Sequence, residues 1–380
     1  MARDLIVLAE DWGGLPTSTQ HLIRNLPGKR RILWVNSVGQ RRPRLTRHDM
    51  ARLLTKARDM VPFGRSTMPR TNISRLKRPE GMELMAPRVL PFPGINPAFH
   101  INQKLLGRQI RIKAKEMGLD NPVLWISFPN GLPAMASNVQ KKTLYYCADD
   151  YGAIEGVDHE TALQMERELV KAVDLILVSS ELLAKKFPRA KSRLLLHGVD
   201  VEKFQTPAPR AKDLPDHSKI AGFYGSFLNR IDVQMLRQAA LDLPDWQFVF
   251  IGKVSDQEKA PLNLPNVVFL GSRRHDELPG YVQHWTVSLL PFLDCPMVRA
   301  MNPLKLREYL AAGTPIASVE FPALNDYKEL VCATADRQKF STAILQAQAD
   351  GKRNKQRQQS VAGESWTQRA IQAHEIMEQL

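Results

Sequence analysis

Cysteine is nearly missing from this chain. Three residues, Cys147, Cys295 and Cys332, are spread over 380 positions, and their wide spacing offers neither a disulfide framework nor a metal-ligand pattern. They read as packing residues. Long apolar runs are missing too: no uninterrupted stretch reaches the roughly 18 residues of a membrane-spanning helix, and the first apolar segment runs straight into Glu10-Asp11. Neither a membrane span nor a cleaved signal peptide is expected, which points to the cytoplasm. Acidic residues are scarce only at the start. Residues 1–120 carry 23 Lys and Arg against 9 Asp and Glu, whereas residues 121–380 carry 30 of each, so the net charge of +14 lies in the first third. Aromatic side chains are not interleaved with these charges in the manner that stacks bases, which argues against nucleic acid. An anionic membrane surface, an acidic substrate or a plainly solvated face remain.

What the chain has is alternation. Leu5 to Ala9 reads as a short buried parallel strand, and the turn at Gly13-Gly14 opens a helix that runs to Leu26. Further strands are expected at 31–36, 123–127, 142–147, 175–179 and 192–197, with helices at 47–60, 101–118 and 158–172. The helix at 101–118 mixes Ile101, Leu105 and Ile112 with Lys104, Arg108, Arg111, Lys113 and Lys115. Its basic amphipathic character suits a membrane surface or the cover of a sheet. A second series of strands begins at 219–224 and continues at 246–251, 267–270, 287–291 and 315–319, with helices near 232–241, 275–284 and 303–312. Two such series in a chain too long for one typical domain predict an α/β protein of two doubly wound, Rossmann-like domains facing a cleft. The expected boundaries are a basic first domain over 1–205, a linker over 206–218 with three prolines, a second domain over 219–363, and a final amphipathic helix over 364–380. That helix, with Trp366, Ala370, Ala373, Met377 and Leu380 on one face, is expected to pack back across the domains.

The segment from Val298 to Ser318 joins turn, helix, turn and strand. Asn302-Pro303 has the form of a helix start, with a capping side chain followed by proline where no amide hydrogen is needed, and Gly313 stops the helix. Lys305 and Glu308, three apart, share one face, while Leu306 and Leu310 can form a buried stripe on another. A cation and a carboxylate near a helix N-terminus can together hold a phosphorylated sugar nucleotide. A surface ion pair on an ordinary amphipathic helix accounts for the same spacing.

Four pieces, in order, carry a resemblance: the Gly13-Gly14 turn, His197-Gly-Val-Asp200 with Phe204, the turn Tyr224-Gly225-Ser226, and the helix at 303–312. Together they resemble the GT-B glycosyltransferases. Tyr145-Tyr-Cys-Ala-Asp149-Asp150-Tyr151 and Asn302-Pro-Leu-Lys305-Leu-Arg-Glu308-Tyr-Leu-Ala are similar to enzymes of bacterial surface polysaccharide biosynthesis, among them the teichuronic-acid-type glycosyltransferases and the xanthan glucuronosyltransferase. The resemblance implies that a nucleotide-diphosphate sugar binds the second domain and a glycan or lipid-linked acceptor the first, with no metal and no cofactor. Carried over, Glu308 accepts hydrogen bonds from the ribose hydroxyls and Lys305 neutralises the diphosphate. Gly225, Ser226 and Arg230 add phosphate contacts, and Asn302 opens the donor helix. One departure stands out: where many retaining members have a second glutamate eight positions earlier, this chain has Ala300, which favours an inverting reaction.

Inversion needs a general base for the acceptor hydroxyl. Asp149 and Asp150 follow a buried strand at its C-terminal end, where open α/β sheets place ligands. Asp150 is preferred, with helix capping as the alternative. Gly13, Gly14 and His21 are candidates for an acceptor or phosphate loop, Asp11 is a further possible base, and His197 reads as a loop residue. Lipid-linked acceptors would explain the basic first domain, which is expected to dock peripherally on the anionic inner face of the membrane. Two other functions fit parts of the pattern: a sugar-nucleotide epimerase or hydrolase on the same fold, and a protein that binds nucleic acid or another anionic polymer.

Overall fold

The computed structural model describes residues 2–14, 16–38, 77–90, 92, 94–95, 97–154, 157–227 and 230–380. The helix expected over 47–60 lies outside them, as do the basic run at 41–47 and most of that at 70–78. The chain divides into two compact units, Met1–Leu196 with Ala370–Leu380, and His197–Arg369.

Strands covered on both faces lose the in-out alternation of half-exposed ones and become short continuous apolar runs. In the first unit β1 (Leu5–Leu8), β2 (Ile32–Val35), β4 (Val123–Ile126) and β6 (Leu175–Val178) are such runs, β5 (Lys142–Cys147) is buried from Thr143 on, and the edge strands β3 (Met82–Met85) and β7 (Ser192–Leu194) are not. All pair in parallel, in the order β3-β2-β1-β4-β5-β6-β7. The edge strand β3 has only Met82 fully buried, so its sequence lacks the signal that its neighbours carry.

The second sheet repeats the scheme with β8 (Ile220–Tyr224), β9 (Gln247–Ile251), β10 (Val267–Gly271), β11 (Val287–Leu290), β12 (Ile316–Val319) and β13 (Cys332–Thr334). Its order is β10-β9-β8-β11-β12-β13, again parallel throughout. Strand order reverses between β1 and β4 in one sheet and between β8 and β11 in the other. Open α/β sheets bind ligands beyond the carboxyl ends of the strands at such reversals, so two loops matter most: the one leaving β1 and the one leaving β8.

Two local expectations change. The proline-bearing stretch 206–218 has no helix or strand, yet it is fastened along the second unit, where Ala208 N donates to Gln283 Oε1 at 2.8 Å and Ala211 N to Gly280 O at 2.9 Å. The helix read at 303–312 spans Leu304–Ala312 and stops at Gly313, whose φ of +78° is the left-handed conformation. Its N-cap position is Pro303, and the Asn302 amide oxygen accepts from Arg307. Leu306 and Leu310 are fully buried, worth about 1.5–3 kcal/mol each. Packing therefore seats this helix, and Lys305 and Glu308 are carried into position by it. The final helix, Trp366–Glu378, buries Trp366, Ala370, Ala373 and Met377, and the division between the units falls within it.

Candidate functional site

β8 ends at Tyr224 and the chain turns at Gly225, where φ is +133°. A Cβ there would stand 2.3 Å from Lys305 Cε and 2.6 Å from its Nζ. The backbone conformation calls for glycine, and its missing side chain lets the end of Lys305 lie on the turn. Gly252, just past β9, brings a second turn against the first: its Cβ would sit 2.1 Å from Gly225 O.

One helical step from Lys305 is Glu308, which is buried. Its Oε2 accepts from the Tyr224 hydroxyl at 2.7 Å, and its Oε1 lies 2.7 Å from His275 Nε2. Burial pushes the carboxyl upward, but His275, the Tyr224 hydroxyl and Lys305 outweigh it and hold the group below the ordinary glutamate value. Glu308 is accordingly ionised. The Lys305 ammonium is set deep among neighbouring atoms, although part of the side chain meets solvent. Burial first, and then the positive charge of Arg230, bring its pKa down to about 8 against the pull of Glu308. The cluster thus joins a fixed carboxylate, a lysine ready to gain from an anion, and a guanidinium close enough to perturb that lysine. It can accept hydroxyl hydrogen bonds and neutralise phosphate charge side by side.

Ser226 continues the same turn and is partly exposed. Asn302 is buried just before the helix, where its carbonyl accepts from His197 Nδ1 at 2.8 Å. Burial, with Arg307 and Arg369 beside it, brings the His197 pKa down to about 4 despite that carbonyl, so the imidazole is neutral with its proton on Nδ1. Behind the helix, Arg307 Nε donates to Glu364 at 2.6 Å, Tyr327 Oη donates to the same carboxylate at 2.7 Å, and Arg369 stands 3.3 Å from it.

In the first unit, the loop leaving β1 turns at Gly13, where φ is +88°, and Gly14 N donates to Asp11 O at 3.1 Å. Asp11 Oδ1 accepts from both the amide and the hydroxyl of Ser37 at 2.9 Å. This ties the loop to the chain leaving β2 and gives Asp11 a structural task. His21 is buried in the helix Ser18–Arg24. Asp150 Oδ1 accepts from Lys186 Nζ at 2.6 Å and from Gly152 N at 3.0 Å, whereas Asp149 is exposed. Beside them stands Glu10, two residues past β1. Burial, reinforced by Asp149 and Asp11, raises its carboxyl above the ordinary value, and its Oε2 is buried with no hydrogen-bond partner among the described residues.

The structure therefore gathers Gly225, Lys305, Glu308 and the charge of Arg230 in the second unit, and places Asp149 near Glu10 in the first. Sequence reasoning missed His275 and Glu10. His275 falls at the start of the helix expected near 275–284, whereas the structure confines that helix to Pro279–Val282 and leaves His275 in the loop before it. Its one available signal was its place beyond the carboxyl end of β10.

The family described as Glycosyl transferases group 1 matches residues 218–350. A Bacillus subtilis (strain 168) protein, named as a candidate teichuronic acid biosynthesis glycosyltransferase, is 30% identical over 228 residues. That match takes in 53% of this chain and 56% of the relative, little more than half of each. Among solved structures, sucrose-phosphate synthase from Thermosynechococcus elongatus superposes with a TM-score of 0.67 at 15% identity, over 99% of this chain and 98% of that one. Anabaena HepE in complex with UDP-glucose gives 0.65 at 12% identity, over 99% and 100%. A Rickettsia africae glycosyltransferase gives 0.66 at 11% identity, over 100% and 98%. At such identities the likeness is one of fold, and the fold is GT-B.

Proposed function

We propose that this chain, whose residues 218–350 belong to the group 1 glycosyl transferases, moves a sugar from a nucleotide-diphosphate donor to a glycan or lipid-linked acceptor in bacterial surface polysaccharide assembly. The observation that carries this reading is the Lys305 side chain lying on the Gly225 turn, beside the charge of Arg230 and one helical step from the ionised Glu308. A nucleoside diphosphate offers the matching chemistry, with vicinal hydroxyls for Glu308 and phosphate charge for the two cations. Ser226 adds to the donor group on the turn, while Asn302, buried with its amide oxygen accepting from Arg307 and its carbonyl from His197, holds the entry to the helix. The crystal complexes of HepE with UDP-glucose support a nucleotide sugar as donor.

As the sugar leaves the diphosphate, charge builds on the departing oxygen. Fixed cations and helix amides can stabilise it by several kcal/mol without a metal ion. With Ala300 where a second glutamate would stand, we assign inversion, with a carboxylate of the first unit taking the acceptor proton. Asp150, whose Oδ1 accepts from Lys186, and the exposed Asp149 are the candidates for that task. Gly13, Gly14 and His21 would then line the acceptor side. The basic first unit points to peripheral attachment at the cytoplasmic face of an anionic membrane.

Thermal-shift screening against nucleotides and nucleotide sugars tests the assignment, because a ligand of the native state raises its midpoint. Lys305→Ala and Glu308→Ala should each lose the shift while melting normally without ligand. Indifference of both variants to the loss would remove the donor assignment. Sugar released without any acceptor would instead point to a hydrolase or epimerase.

A further inference from the structure

We propose that His275 is a positioning residue that fixes the Glu308 carboxylate for the donor's vicinal hydroxyls, and that Lys203 and Asp200, on the turn following His197, hold His275 in the required form. The inference rests on the donor reading above and adds the residues that make it work.

Each oxygen of an ionised carboxylate has two acceptor sites. On Glu308 one site of Oε2 is taken by the Tyr224 hydroxyl and one site of Oε1 by His275 Nε2, both at 2.7 Å. One site per oxygen is left, and two hydroxyls on adjacent carbons can use both only if the plane of the carboxylate is fixed. Tyr224 alone would leave it free to rotate about the Oε2 contact. His275 supplies the second anchor.

His275 can do so only with its proton on Nε2. The ionised Glu308 accepts from Nε2, and Lys203 Nζ, which has donors but no acceptor, stands 3.5 Å from Nδ1, an arrangement that favours the hydrogen on Nε2 and a lone pair on Nδ1. The hydrogen-bond network thereby assigns the tautomer. Lys203 is in turn paired with Asp200 Oδ2 at 2.9 Å. The ring of Phe204, fully buried on the short helix Val201–Gln205 that also carries Lys203, meets the imidazole edge-on at 5.6 Å between centroids. The segment His197–Asp200 thus serves the donor helix at two points: His197 Nδ1 donates to the Asn302 carbonyl before the helix, and Asp200, through Lys203 and His275, reaches Glu308 at its middle.

The test titrates wild type, His275→Ala, His275→Gln and Lys203→Met with UDP, GDP, dTDP and ADP by calorimetry, with melting curves alongside. For the nucleotide that wild type binds best, His275→Ala should weaken binding about tenfold, the scale of one lost hydrogen bond to a charged group. Glutamine, whose amide N–H can reach the same oxygen, should restore most of that loss. Lys203→Met should fall between alanine and wild type, and all four proteins should melt within a few degrees of one another. Wild-type affinity in His275→Ala would overturn the proposal. So would a glutamine variant as weak as the alanine one, because the N–H donor would then not be what matters. Failure of wild type to bind any of the four nucleotides would instead sink the donor reading, and this inference with it.

Discussion

The charge of Lys305 depends on what stands beside it. Burial and Arg230 bring its pKa from the ordinary 10.5 to about 8, so the folded state resists the proton that the unfolded chain accepts. Folding stability should therefore rise as pH climbs from about 8 towards 10.5, where the unfolded chain also gives its proton up. A diphosphate acts in the opposite sense, because it needs the ammonium and raises its pKa. Nucleotide affinity should be flat below about pH 8 and should fall above it, approaching a tenfold loss per pH unit at the steepest. Binding near pH 8 should take up a proton, which calorimetry in two buffers of different ionisation heat detects. Lys305→Met should bind weakly and lose this pH dependence. Unaltered affinity between pH 7 and pH 9.5 in wild type would mean that the lysine does not meet the phosphates. Glu308 contributes no such slope near neutrality, since its neighbours hold it below the ordinary value and keep it ionised throughout.

The helix Leu304–Ala312 is held from behind by charges that no local pattern announces. Arg307 is buried and donates to Glu364 at 2.6 Å across 57 positions of sequence, with Tyr327 and Arg369 on the same carboxylate. Removing one partner of a buried pair leaves the other uncompensated, at a cost of about 3–5 kcal/mol. Glu364→Gln should accordingly lower the urea midpoint of the second unit sharply and weaken nucleotide binding with it, whereas the exposed pair Arg299–Asp294 should be removable with little change. Equal effects of the two substitutions would contradict this ranking. The contrast also explains what could be read in advance. Strands β1, β4, β6, β8 and β12 announced themselves because full burial writes a continuous apolar run, and Gly313 announced the helix end. The spacing of Lys305 and Glu308 was visible as well, though not distinguishable from a surface pair. Contacts between distant loops leave no periodic trace: His275 reaches Glu308 across 33 positions, Lys186 reaches Asp150 across 36, and only the strand order brings them together. β3 went unread for a different reason, since a four-residue edge strand with one buried side chain has too little burial to pattern its sequence.

At the scale of the whole molecule the uneven charge becomes an argument about location. Among the described residues no helix is long and apolar enough to cross a membrane, so attachment would have to be made by a surface. The helix Pro97–Glu116 offers one: Ile101 and Ile112 are nearly half exposed, and Lys104, Arg108 and Arg111, with His100, border an open recess of about 530 Å³. Phe92, also nearly half exposed, precedes the same helix. Apolar side chains of this kind add insertion to an attraction worth about 1 kcal/mol per basic residue near an anionic surface, and only the attraction is screened by salt. The chain should float with phosphatidylglycerol-containing liposomes at low ionic strength and stay behind with neutral ones. Lys104→Glu combined with Arg108→Glu should abolish most of the binding. Ile101→Ser combined with Ile112→Ser should spare the encounter at low salt but remove whatever survives at 0.5 M. These four positions lie outside the proposed donor site, so nucleotide binding should not change in either variant. Equal flotation with neutral and anionic liposomes, or indifference to the charge reversals, would leave the basic third as a solvated face, and the acceptor would then have to be sought among soluble glycans.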